Sequence, residues 1–172
     1  MTLILTFMSR NSVLQVTDRL VTRQGQAFDE LSNKNIVYYA RNALVTIGYT
    51  GCAYIGRVPT DQWIAEKIAG KEFKSMPFRN HSFGLLMGSF LNPWLDIGLS
   101  LLRLKEALNH ARDETPIDWH GTWDRLPFEV IVAGYQWKKN GRFRPIGATI
   151  SKSSVTLVSR EIKMLKANYQ SN

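Results

Sequence analysis

Three observations on the sequence predict an α+β fold. Alternating apolar segments open the chain, helical periodicity occupies its middle from Thr60 to Arg112, and strand-like runs return from Pro127 onward. Strands, then a block of helices, then strands again is the order of helices packed on antiparallel sheet.

The elements follow in order. Leu3 to Ser9 reads as a strand with apolar side chains on both faces (Leu3, Leu5 and Phe7 against Ile4 and Met8), as expected of a sheet covered on both sides. Val13 to Asp18 is its partner, and Arg19 to Leu31 a largely polar connection containing Gly25. Asn35 to Tyr39 and Ala43 to Gly48 form a second pair around a tight turn at Arg41-Asn42. Pro59 and Thr60 open a helix with Thr60 as N-cap. Ile64, Ala65 and Ile68 are its apolar face, Trp63 stands at the flank, Lys67 lies outside the face, and Gly70 terminates it. After a turn-like stretch from Lys71 to Asn80, Phe83 to Arg112 is expected to be helical with a break near Asn92-Pro93. Its positions Ile97, Leu101, Leu104, Leu108 and Ala111 fall on one helical face. Pro116 to Leu126 reads as a loop and Pro127 to Trp137 as a strand. Asn140-Gly141 is a favoured hairpin turn, Phe143 to Ser151 the return, and Ser154 to Ile162 can form a further strand.

With 172 residues the chain suits one domain with a sizeable core. A composition of 44% hydrophobic and 21% charged residues excludes a disordered chain. Cys52 is the single cysteine, so no internal disulfide can form and a reducing cytoplasm is the expected compartment. Leu3 to Met8 is too short and lacks the preceding basic residues of a signal peptide. Phe83 to Leu102 is apolar, but Asn92, Pro93 and Asp96 in its middle argue for core helices and against a membrane span. The net charge of +8 is uneven: residues 138–172 carry eight Lys and Arg against Glu161 alone. Such an end can bind nucleic acid or an acidic partner, or be a solvated edge.

The residues that point to chemistry are Thr2, Asp18 and Lys34, spaced sixteen apart. Threonine has a small side chain, so Met1 before it is a candidate for removal, leaving a free α-amine and a hydroxyl on one residue. A hydroxyl needs an adjacent base, and an N-terminal amine, which ordinarily titrates at about 7.7–8.0, can serve. An ammonium at Lys34 would lower that value, and Asp18 would hold Lys34 charged and oriented. Gly48-Tyr49-Thr50-Gly51 is a source of backbone donors for an oxyanion. For Thr2 and Asp18 to face each other directly, the first hairpin must turn through three residues, Ser9-Arg10-Asn11, pairing Met8 with Ser12. A two-residue loop would put Asp18 opposite Leu3 instead.

Residues 2–51 resemble the start of β-type proteasome subunits and their bacterial relatives, an N-terminal nucleophile (Ntn) hydrolase family. The likeness rests on a Thr at the head of a strand, "VLQVTDRLVT" (Val13–Thr22), Asn33-Lys34 before a strand, and "VTIGYTGCA" (Val45–Ala53). It continues as an order of elements to "FEVIVAGYQW" (Phe128–Trp137) and its return strand, and stops after Lys152. The resemblance implies stacked antiparallel sheets flanked by helices in one proteasome-like domain spanning residues 1–172. Relative to the family, the C-terminal helices and closing strands are missing. It implies threonine peptidase or amidase chemistry on a peptide or amide substrate, with no cofactor or metal, and assembly into a homo-oligomer. Thr2 would be the nucleophile, Asp18 and Lys34 its activators, and Gly51 the oxyanion donor. Gly48 lies nearer the family's spacing, whereas "TGCA" (Thr50–Ala53) fits its pattern better. An inactive scaffold of the same fold is the nearest variant.

Other residues carry less. His81, His110, His120 and Cys52 form no metal spacing, and Cys52 reads as a small buried residue. Trp119, His120, Trp123 and Arg125 can grip a ligand or anchor their loop. The aromatic-basic run from Tyr135 to Arg144 has the composition of a single-strand nucleic-acid platform, with a solvated hairpin tip as the plainer reading.

Overall fold

A computed structural model describes residues 3–18, 21–23, 26–29, 34–70, 85–86, 95–117, 120–125, 127–152 and 155–157. Strands β1 (Ile4–Met8) and β2 (Val13–Thr17) pair as an antiparallel hairpin. Its alternation is strict. Ile4, Thr6, Met8, Val13, Gln15 and Thr17 turn inward, while Leu3, Leu5, Phe7, Leu14 and Val16 are exposed, so one face is covered and not both.

The register of this hairpin departs from the expected one. Met8 faces Val13, the loop is the two residues Arg10-Asn11, and Asp18 stands at Leu3, donating its N–H to the Leu3 carbonyl at 3.3 Å. The cause is local. Ser9 N–H donates to Ser12 O at 2.8 Å, while Ser9 Oγ accepts the Ser12 N–H at 3.0 Å and bonds Ser12 Oγ at 2.8 Å. A three-residue loop would break this paired-serine closure.

The expected polar connection contains a small ribbon, β3 (Val21–Arg23) with β4 (Gln26–Asp29). β5 (Asn35–Ala40) and β6 (Ala43–Thr50) then pair around Arg41-Asn42 as expected. A short ribbon of β7 (Tyr54–Ile55) and β8 (Val58–Pro59) leads into helix α1 (Thr60–Ala69). Pro59 takes the N-cap position assigned to Thr60, whose hydroxyl donates back to the Cys52 carbonyl at 2.8 Å. Trp63 is not at the flank: it is fully buried, its indole N–H donating to Glu114 at 2.7 Å. Gly70, at φ 68°, stops the helix.

Within the region expected to be helical from Phe83, Leu85 and Leu86 form a strand instead. β9 (Leu85–Leu86) lies parallel to β5, and helix α2 (Ile97–His110) begins only after Asp96. Short apolar runs suit a strand or a helix equally, and here the open edge of β5 takes this one. The expected break at Asn92-Pro93 lies outside the described residues. Ile97, Leu101, Leu104, Leu108 and Ala111 are all buried, as their spacing predicts. The expected loop before Pro127 holds a short helix, α3 (His120–Arg125), because Trp123 is drawn into the core against Phe128 at 5.5 Å. β10 (Glu129–Trp137) and β11 (Phe143–Ser151) form a long hairpin. Its loop is Lys139-Asn140-Gly141, with Gly141 left-handed at φ 75°. β12 (Val155–Leu157) pairs with β11; the stretch on to Ile162 lies outside the described residues.

The main sheet has the order β12-β11-β10-β6-β5-β9, antiparallel except at β9. Its registers align Ile36 with Ile47, Tyr38 with Val45, and Val132 with both Ile47 and Ala148 on one face. That face meets the helices: Tyr38 Oη bonds Ser100 Oγ of α2 at 2.8 Å. The β1–β2 hairpin lies across the other face, where Gln15 donates to Ile131 O at 3.4 Å and Tyr135 Oη to Ser9 O at 2.9 Å. The architecture is therefore α+β, with hairpin, sheet and helices in layers. Among the described residues no helix is long and apolar enough to cross a membrane.

The sheet depends on close strand contact at Gly134, where a Cβ would stand 2.2 Å from Leu44 O and 2.6 Å from Val45 Cα. Gly134→Ala is expected to destabilise the protein by about 3 kcal/mol, the upper end for overpacking. Gly98→Ala, at an exposed position of α2 with nothing within 4 Å, should stabilise by roughly 0.5 kcal/mol. Urea unfolding of both variants checks the pair.

Candidate active site

Antiparallel pairing brings four chain segments to one end of the molecule. They are the residue before β1 (Leu3), the residue after β2 (Asp18), the residue before β5 (Lys34) and the end of β6 (Tyr49 to Gly51). Lys34 is tied to that end by its backbone, its carbonyl accepting the Tyr49 N–H at 3.3 Å. Its side chain is only 5% exposed, and Nζ donates to Asp18 Oδ1 at 2.9 Å. A buried ammonium is costly unless a counter-charge faces it, so this pair fixes both groups. Asp18, 37% exposed, presents the solvent side of the pair.

The structure brings Asp18 and Lys34 together, a contact that the spacing of the two residues left open. Thr2 lies outside the described residues, and so does His81. The direct facing of Thr2 and Asp18 across the strands is corrected by the observed register, which gives that place to Leu3.

The two glycines differ in kind. Gly48 is buried within the sheet between Asn35 and Ile131, and a Cβ on it would meet Gln15 Oε1 at 3.1 Å. Gly51 lies just past the last ladder residue, exposed, at φ +107°. A side chain there would also meet Pro127 O at 2.8 Å, so the turn-out of the chain at this end requires glycine.

Beneath the hairpin lies a polar cluster that sequence reasoning missed. Gln15 Nε2 donates to Thr6 Oγ1 at 3.1 Å, and Asn35 Nδ2 donates to the Gln15 carbonyl at 3.1 Å. Gln15 Oε1 and Asn35 Oδ1 are buried with no hydrogen-bond partner among the described residues. The available signal was the phase of Val13-Leu14-Gln15-Val16-Thr17, which puts a glutamine on the inward side.

Cys52 packs against the core, and burial pushes its thiol above the ordinary range while Lys152 pulls weakly the other way. A thiol so placed is a poor nucleophile at neutral pH. Trp123 is an anchor and not a ligand clamp, and His120 bonds Thr115 O at 3.1 Å. Among the described residues no group of three or more His, Cys, Asp and Glu comes together. No family model matches this chain, and no curated protein or solved structure matches it either.

The asymmetry of exposure within the pair sets an order of stabilities. Asp18→Ala removes a carboxylate counter-charge from a buried ammonium, and its cost falls below the usual 3–5 kcal/mol for breaking a buried pair because Asp18 is part-exposed; about 2 kcal/mol is expected. Lys34→Met leaves a carboxylate that water can reach and should cost less, and adding Asp18→Ala to it should cost almost nothing further. Denaturant unfolding of the two single variants and the double variant at neutral pH checks this order.

Proposed function

We propose that the chain is an Ntn hydrolase of proteasome-like fold that cleaves an amide or peptide bond through an acyl-enzyme on Thr2. The observation that carries this reading is the Lys34–Asp18 pair, anchored by the Asp18 N–H to Leu3, the residue bonded to Thr2. Covalent geometry keeps the Cα atoms of Thr2 and Leu3 about 3.8 Å apart, which supports a place for the pair near the Thr2 amine. The layering of a hairpin on one face of an antiparallel sheet and helices on the other supports the same reading.

In this mechanism removal of Met1 frees the Thr2 α-amine. The Lys34 ammonium opposes a second positive charge and keeps a fraction of that amine neutral. Asp18 acts through Lys34, holding it charged and in place, and needs no contact with Thr2. The α-amine accepts the Thr2 hydroxyl proton as Oγ bonds to the substrate carbonyl carbon. The oxyanion is met by backbone N–H groups at the end of β6, with Gly51 as the proposed donor. As the C–N bond breaks, the ammonium returns the proton to the leaving amine. Water, deprotonated by the same α-amine, then cleaves the ester and regenerates Thr2.

Five apolar side chains of the first hairpin, Leu3, Leu5, Phe7, Leu14 and Val16, are each 44–61% exposed. A surface of this kind favours assembly, and a homo-oligomer is part of the proposal.

The test is the intact mass of native protein before and after a peptidyl epoxyketone, with Thr2→Ala alongside. Expected are loss of Met1 and one adduct that Thr2→Ala abolishes. Lys34→Ala should slow adduct formation about 10²-fold or more, the scale of a mistuned general base. Retained Met1, or processed protein that takes no adduct, would replace the hydrolase with an inactive scaffold of the same fold.

A further inference from the structure

At the end of the sheet away from Lys34, the hairpin-bearing face continues past the first hairpin as a row of aromatic rings. Tyr39 and Trp137 have centroids 5.8 Å apart, and Trp137 and Phe143 6.3 Å. Phe143 is 69% exposed and Tyr39 46%, so the row is not core packing. It is nonetheless rigid. Trp137 Nε1 donates to Arg41 O at 3.0 Å, and the backbone N–H of Trp137 to Asn42 O at 2.9 Å.

The tip next to this row is basic. Lys138, Lys139, Arg142 and Arg144 follow the rings around the β10–β11 tip, all exposed and none ion-paired among the described residues. Gln136 Oε1 fixes the Arg144 guanidinium through two bonds at 2.9 and 2.6 Å. On the opposite flank Arg10 occupies the tip of the first hairpin, next to Ser9, which accepts the Tyr135 hydroxyl. Arg41 does not count, because Asp96 neutralises it through a bidentate pair. By strand alternation Lys138, Arg142 and Arg144 leave the ribbon on the side opposite the rings, while Lys139 lies in the loop. There the ribbon is two strands wide, and the Lys138, Lys139 and Arg142 stems are long enough to carry charge past its edges, whereas Arg144 is held on Gln136.

We propose that this aromatic row with its basic flanks is a binding surface for single-stranded nucleic acid. Exposed rings on a sheet face offer stacking to unpaired bases, and the basic tip beyond them, with Arg10 on the first hairpin, offers charge to a phosphate chain that leaves the row around the ribbon edge. A duplex keeps its bases stacked inside and offers the rings nothing. An acidic peptide matches the charge but leaves the ring faces unused.

The experiment is fluorescence anisotropy of the full chain with labelled oligothymidylate and oligouridylate of about twenty nucleotides, longer than the ~4–16 one such platform covers. Binding should weaken with added salt, with a log–log slope of about −3 if four or five phosphates are neutralised. Phe143→Ala and Tyr39→Ala should each weaken binding about tenfold or more. Their unchanged circular dichroism and melting would show that the fold is intact. Lys138→Glu with Arg142→Glu should abolish binding. Duplex of the same sequence, polyglutamate and phosphatidylcholine–phosphatidylserine vesicles should bind more weakly than the single strand. The proposal is overturned if the aromatic variants bind like the parent, or if any of these three competitors binds as tightly as the single strand.

Discussion

Strand β6 is the constraint on which the rest of the molecule depends. It is hydrogen-bonded on both edges, to β5 and β10, and its helix-side face is buried throughout. Val45, Ile47 and Tyr49 point into the helix-side core, whereas Thr46 and Gly48 face the hairpin side. A one-residue slip in either ladder would exchange these sets and expose the core to water. Gly134 lets β10 close against β6, and Gly48 lets the Gln15 amide lie on it. The end of β6 then fixes Lys34 through Tyr49, which decides where a charged side chain can be buried.

The first hairpin shows how a small choice at a turn reaches the site. Its two-residue loop places Asp18 against Leu3, so the carboxylate stands one residue from the direct facing that the triad suggested. The Lys34–Asp18 contact survives this shift because a lysine side chain is long enough to span from the sheet edge to the hairpin end. Its burial raises the value of the carboxylate in turn. With the ammonium 5% exposed, orientation of Lys34 comes from Asp18 and packing, not from solvent. In the proposed mechanism the carboxylate positions the cation, and the cation acts on the Thr2 amine.

What was legible in the sequence is what periodicity encodes. The single-face repeat from Ile97 to Ala111 is buried at every position, and the strands on both sides of Arg41-Asn42 and of Asn140-Gly141 form where alternation puts them. The proximity of Asp18 and Lys34 was not legible, because it depends on the first hairpin crossing the face of a sheet with which it does not pair. Other features depend on partners distant in sequence. Leu85–Leu86 is a strand only because β5 has an open edge, and α3 forms because Trp123 finds Phe128. The loop of the first hairpin was undecidable by turn residues alone, since Asn11 suits either length, and Ser9 with Ser12 decided it.

The same antiparallel geometry keeps the two proposed surfaces apart. β10 starts at Glu129, opposite Thr50 of the site end, and finishes at Trp137 in the aromatic row. Eight residue steps at about 3.3 Å put these ends roughly 26 Å apart. The first hairpin spans the same axis, with Leu3 and Asp18 at one end and Arg10 at the other. A chain of phosphates on the tip would lie beyond several Debye lengths of ~8 Å from Lys34, too far to shift a proton equilibrium there through solvent. Coupling between the surfaces would have to run through the packed strands themselves, and those are held rigid by β6. The two surfaces are therefore expected to act independently, each readable without disturbing the other.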